Sequence, residues 1–157
     1  MPVAIHYNFS QHFNVPARKA YEWCTEYTPE DQALMQEGNA KREIQHITED
    51  ILILTDTYFS ENQTTTKQKL VCLYPRQLSW TSTHLTGPNK HSQFIYQIVP
   101  ENKTHSLLKF TALHLDYNLK EGADEKKAER LARELKKLDS ENWKLLATEM
   151  EKELRKS

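Results

Sequence analysis

From Asp124 to about Arg155 the chain reads as one uninterrupted helix, free of proline and glycine, whose apolar stripe holds polar residues near its middle. At about 100° per residue, with Leu135 as zero, Ala128 and Leu146 fall near +20°, Leu131 near −40°, Leu138 near −60°, Met150 near +60° and Trp143 near +80°. That arc is expected to be buried. Asp139, at roughly +40°, and Asn142, at roughly −20°, lie inside it. A buried polar group without a partner costs on the order of 1 to 3 kcal/mol, so these two must either be bonded or face a cavity.

The partner surface comes from the rest of the chain. Residues 3 to 13 alternate, with Val3, Ile5, Tyr7, Phe9 and Phe13 on one side and His6, Asn8, Ser10 and His12 on the other, the period of a strand with one buried face. Asn14-Val15-Pro16 then starts a short helix, with proline at the first helical position and Ala17, Ala20, Tyr21, Cys24 and Tyr27 at helical spacing. Thr28-Pro29-Glu30-Asp31 announces a second short helix, which Gly38-Asn39 stops. From Ala40 to Asn118 helical periodicity is absent, and strand-like runs are expected at Lys41 to Thr48, Ile51 to Phe59, Thr64 to Leu73, Leu78 to Leu85, Ser92 to Val99 and Ser106 to Tyr117. Their connectors have hairpin length, so successive strands should pair antiparallel. Gly122-Ala123-Asp124 then breaks the last strand and offers Asp124 as the cap of the long helix. Seven antiparallel strands with one apolar face need a cover, and the C-terminal helix is the one element long enough to provide it.

A length of 157 residues fits one domain spanning 1–157, with a single core. The formal net charge of −1 gives no basic field for a phosphate backbone, so nucleic acid is not an expected partner. Cys24 and Cys72 lack C-x-x-C spacing and read as reduced thiols. The histidines show no metal spacing, so neither a metal nor another cofactor is expected. No basic region followed by an apolar run opens the sequence and no integral membrane segment is evident, so a cytoplasmic location is expected. Oligomeric state is not legible.

The order β, α, α, six β, long α resembles the START-like superfamily, also called SRPBCC. So does the passage Phe13-Asn14-Val15-Pro16-Ala17-Arg18-Lys19-Ala20-Tyr21-Glu22-Trp23, with its V-P-A-x-x-A-Y-x-W pattern. Members of that superfamily include lipid-transfer domains, polyketide cyclases, plant allergens and coenzyme Q-binding proteins. The resemblance covers nearly the whole chain and implies an α+β helix-grip fold: a curved seven-stranded antiparallel sheet around the long C-terminal helix, with two short helices after the first strand. It also implies an apolar pocket between sheet and helix. The glycine-rich loop that the plant allergen branch carries between its second and third strands is replaced here by Glu49-Asp50, which points away from that branch. No catalytic signature of the cyclases is present.

Alternation nominates the pocket lining: Leu78 and Trp80 on one strand, Phe94, Tyr96 and Ile98 on the next, and Leu108, Phe110, Ala112, His114 and Asp116 on the last, facing Leu135, Leu138, Asp139, Asn142, Trp143 and Leu146. Within it the expected ligand-binding residues are Trp80, Phe94, Tyr96, Phe110, His114, Asp116, Asp139, Asn142, Trp143 and Leu146. Asp139 and Asn142, about one turn apart, could orient a polar head group. The plainer alternatives are a filled aromatic core, and a His114/Asp116 pair bonded to the loop at the sheet rim. Three functions follow. The leading one is binding or transport of a hydrophobic small molecule such as a lipid, sterol, quinone or polyketide. The next is a polyketide cyclase or dehydratase-like enzyme using Asp139 with His114 and Asp116. The last is a protein-interaction domain regulating a partner such as a chaperone, which would need an exposed apolar patch.

Overall fold

The computed structural model describes residues 1–29, 39–119 and 125–156. Its elements are β1 (Val3–Phe13), α1 (Ala17–Thr25), β2 (Ala40–Thr48), β3 (Ile51–Ser60), β4 (Gln63–Tyr74), a 3-10 turn (Pro75–Gln77), β5 (Ser79–His84), β6 (Gln93–Pro100), β7 (Ser106–Asp116) and α2 (Glu125–Arg155). Residues 30–38, the body of the expected second short helix, and residues 122–124, with the Asp124 cap, lie outside the described residues.

The strands form one antiparallel sheet in the order β1-β7-β6-β5-β4-β3-β2. Hairpin-length connectors produce the run from β2 to β7, and β1 closes on β7 along its whole length, from Val3 opposite Asp116 to Phe13 opposite Ser106. The Ser106 hydroxyl donates to the Val15 carbonyl at 2.8 Å, fixing the exit of β1 against the start of β7.

Strand boundaries fall within one residue of expectation, and two of the boundary differences, at α1 and β5, have local reasons. Pro16 precedes the first helical residue of α1, because its ψ of 144° is extended. Its carbonyl still accepts the first helical bond, from the Ala20 N–H at 3.0 Å. Strand β5 starts at Ser79 because Leu78 adopts a left-handed conformation, φ 50°, to close the 3-10 turn. That places a non-glycine residue in a region most L side chains avoid.

Helix α2 packs along β1. Its C-terminal half is the anchor: Leu146, Ala147 and Met150 are buried, and Met150 is fully enclosed in one cluster with Phe13, Val15, Ala17, Ala20 and Leu108. Two hydrogen bonds fasten the same end. The Asn14 N–H donates to Glu151 at 2.9 Å and the Trp23 indole donates to Glu153 at 2.6 Å. Further up the helix, Leu131, Ala132 and Leu135 pack on Ile5, Tyr7, Phe94, Phe110 and Ala112.

The buried face of α2 is turned from the expected arc. Leu138 is 55% exposed, Leu145 is 56% exposed and Asn142 faces solvent, whereas Ala147, at roughly +120° on the same wheel, is buried. Small Ala132 and Ala147 let the helix lie close to β1, which draws Asp139 toward the sheet and leaves Leu138 and Asn142 at its edge. Replacing the anchor side chain, Met150→Ala, is predicted to lower unfolding free energy by about 2–5 kcal/mol. Urea unfolding monitored by circular dichroism should show an earlier midpoint with an unchanged slope, and a loss below about 1 kcal/mol would show that this end is not close-packed.

Candidate functional site

Because α2 leans on β1, the inner faces of β2 to β5 are only partly covered. Between them and the helix lies a cavity of about 670 Å³. Period-two alternation aims one set of side chains into it: Arg42 on β2, Leu54 on β3, Lys67, Lys69 and Val71 on β4, and Trp80, Ser82 and His84 on β5. Phe94, Tyr96, Phe110, His114 and Tyr7 continue the lining on β6, β7 and β1, and Leu135, Leu138, Asp139, Asn142, Trp143 and Leu146 face them from α2.

One part of the lining is aromatic. The rings of Trp80 and Tyr96 stack in parallel, with centroids 4.7 Å apart and an interplanar angle of 1°. Phe110 meets Tyr96 edge-on at 5.2 Å, and Trp143 reaches down from the helix to 5.9 Å from Tyr96. Burial pushes the Tyr96 phenol well above its usual range, and the charge of Asp139 adds to that. Tyr7, on β1, donates its hydroxyl to Asp139 Oδ2 at 2.5 Å. Burial and that bond both drive the Tyr7 phenol far up, so it stays a donor at every physiological pH.

The opposite part of the lining is charged. Asp56 lies beneath the cavity floor, its carboxylate completely buried, and accepts from Arg42 Nε at 2.7 Å, Arg42 Nη2 at 2.9 Å and Lys69 Nζ at 3.0 Å. Strand register builds this cluster, since Asp56 sits directly opposite Arg42 on β2 and Lys67 on β4. Burial pushes the Asp56 carboxyl up, yet the Arg42 hydrogen bonds and the charges of Lys69 and Arg42 outweigh it and hold the group below its ordinary range. The Arg42 guanidinium also lies 5.6 Å from the centre of the Tyr27 ring.

Of the residues nominated from sequence, Trp80, Phe94, Tyr96, Phe110, His114, Asp139, Asn142, Trp143 and Leu146 line the cavity, with Asn142 at its solvent edge. Asp116 does not. Its Oδ1 accepts from the N–H groups of Asn118 at 2.8 Å and Leu119 at 3.0 Å, which closes the turn after β7. This is the polar strand-end role, and it removes Asp116 from any pair with Asp139. Among the wider set, Leu78 is absorbed by the turn before β5, while Ile98, Leu108 and Ala112 are packed core, 2%, 0% and 0% exposed. Arg42, Lys67, Lys69, Ser82, His84 and Tyr7 were not singled out as site residues by sequence reasoning. Their signal was phase: Arg42 alternates with Ile44, and Lys67 and Lys69 with Val71, so these cations share a strand face with core residues.

Among the described residues, no group of three His, Cys, Asp or Glu side chains is placed to hold a metal, and no helix is long and apolar enough to cross a membrane. Among the described residues the large exposed apolar side chains include Ile47, Phe59, Tyr74 and Ile95 on four different strands and Leu138 and Leu145 on α2.

His84 makes the cavity's polarity testable. Burial and the neighbouring Lys69 charge hold its pKa down to about 4, against an ordinary 6.5, although a 3.2 Å contact with Asn89 opposes the shift. The unfolded chain therefore binds more protons between those values, so the contribution is complete above pH 6.5 and disappears as the pH falls toward 4. His114, also lowered by burial, acts in the same direction. His84→Gln is predicted to flatten the pH dependence of unfolding free energy between about pH 6.5 and 4. A profile identical to the parent would show that this imidazole is not desolvated.

No protein-family profile matches the chain, and no curated protein does so by sequence. Solved structures match it by shape. Zhui aromatase/cyclase from Streptomyces sp. R1128 superposes with a TM-score of 0.73 at 13% identity, over 97% of this chain and 96% of that one. Ara h 8.0201 gives 0.69 at 9% identity, over 94% and 98%. Norcoclaurine synthase from Thalictrum flavum, in complex with dopamine and hydroxybenzaldehyde, gives 0.61 at 14% identity, over 92% and 87%. At such identities the likeness is one of fold, and the fold is the helix-grip architecture expected: a curved seven-stranded antiparallel sheet with a long C-terminal helix.

Proposed function

We propose that the chain binds a hydrophobic small molecule between the sheet and α2. The observation that carries this reading is the space beside the Trp80–Tyr96 stack: about 670 Å³ lined by those two rings, Phe110 and Trp143 of α2. Small-molecule pockets have volumes of roughly 300–1,000 Å³ and combine apolar walls with a few polar groups. Burying an apolar ligand there stabilises the complex by about 25 cal/mol per Å² before ordering costs. Proteins of the same fold support the reading, since the norcoclaurine synthase holds two small ring compounds.

A specific observation favours a second reading, an acid/base enzyme of cyclase or dehydratase type. The Tyr7–Asp139 bond lies on the cavity lining, with His114 on the same lining. A carboxylate and an imidazole around one space are the parts proton transfer needs. With Asp116 committed to its turn, Tyr7, Asp139 and His114 are the groups on which this reading stands. It predicts that Asp139→Asn loses about 10²- to 10⁴-fold in turnover of a converted substrate.

The binding reading is tested by thermal shift against fatty acids, sterols, quinones and polyketides. At least one class should raise the unfolding temperature in proportion to the logarithm of its concentration. Trp23, Trp80 and Trp143, the three tryptophans of the chain, all line the cavity, so the same ligand should change the intrinsic emission. A panel that moves neither the unfolding temperature nor the tryptophan spectrum would overturn the proposal.

A further inference from the structure

We infer that the ligand is an amphipathic acid, its anionic group seated against Lys67 and Lys69 on the sheet wall and its apolar body on the Trp80–Tyr96 stack. This rests on the binding reading above and narrows it.

The sheet wall carries more positive than negative charge. Arg42 on β2 and Lys67 and Lys69 on β4 all line the cavity, and one carboxylate, Asp56 on the intervening β3, lies among them. Asp56 takes two hydrogen bonds from Arg42 and one from Lys69. Lysine has three N–H donors, so the bond to Asp56 uses one of those on Lys69. The Lys67 ammonium lies 5.4 Å from the centre of the Tyr58 ring, and its aliphatic stem runs 3.5 Å from the position a Cβ would take on Gly87. Packing thus holds Lys67 at the wall, and the ion pair with Asp56 holds Lys69 there. His84, directly opposite Lys69, adds no charge near neutrality but contributes a ring nitrogen, and Ser82 adds a hydroxyl beside it.

The carboxylates of the lining are elsewhere. Asp139 is on α2 and takes the Tyr7 hydroxyl, Glu153 is at the end of α2 and takes the Trp23 indole, and Glu26 is exposed beyond α1. Among the described residues the lining is therefore polarised, with its cations on the sheet and its carboxylates on α2 and just beyond α1. Charges act more strongly across a partly dry space than in water, so an acid is drawn to the sheet side. A desolvated anion needs charged, hydrogen-bonding partners, which two lysines and a hydroxyl can supply. Neutral sterols and quinones would bring these lysines no charged partner beyond the Asp56 that Lys69 already bonds.

Two fluorescent probes that differ by one acidic group test this: 8-anilinonaphthalene-1-sulfonate and the neutral N-phenyl-1-naphthylamine. Titration of the full chain should show both dyes competing for one site, with the sulfonate bound about tenfold more tightly. That ratio should fall toward one in Lys67→Met/Lys69→Met. Because Lys69 bonds a buried carboxylate, Lys67→Gln serves as a second variant that leaves every Asp56 bond in place, and it should reduce the ratio by a few-fold at least. A neutral dye that binds as tightly as the anion, or a ratio unchanged in both variants, would overturn the inference while leaving the binding proposal standing. Failure of both dyes to bind saturably would overturn the binding proposal itself.

Discussion

The architecture depends on where the single long helix rests. Met150 and Ala147 lock the C-terminal half of α2 against the end of β1, where Phe13, Val15 and Leu108 complete a close-packed cluster. Leu131, Ala132 and Leu135 carry the same contact up β1 and its neighbours. One helix about 10 Å wide cannot also cover β2 to β5. The curved sheet encloses more space than the helix fills, and the remainder is the cavity.

That geometry explains a composition otherwise hard to place inside a fold. A fully buried carboxylate carries a desolvation cost of several kcal/mol, which is offset only by well-aligned cationic partners. Asp56 has them, because strand register sets Arg42 on one side and Lys67 on the other, while Lys69 reaches in diagonally. The same residues in a closed core would each need full compensation. Beside an open space the excess positive charge is tolerable, and it is available to something that enters.

Strand positions were legible from alternation because one face of each strand is buried, and most expected boundaries fall within a residue or so of those observed. The aromatic lining was legible for the same reason. The rotation of α2 was not, because an apolar wheel gives little weight to alanine, and it is Ala132 and Ala147 that bring the helix close to β1. With the wheel turned, Asp139 meets Tyr7 and Asn142 moves to the edge. Asp116 shares the inner strand phase but sits at the end of β7, where two N–H groups of the following turn claim its carboxylate. The basic wall left a phase signal that became readable only once Asp56 was seen as the buried partner holding Arg42 and Lys69 together.

The claim most in need of direct test is that the face α2 leaves uncovered is where a ligand sits. Isotope-filtered nuclear Overhauser spectroscopy on the carbon-13-labelled chain with bound N-phenyl-1-naphthylamine reads this directly. Cross-peaks from the dye to Trp80, Tyr96, Phe110 and Leu146 are the predicted result. Cross-peaks confined to side chains exposed outside the cavity, such as Ile95 and Tyr74, would contradict the account.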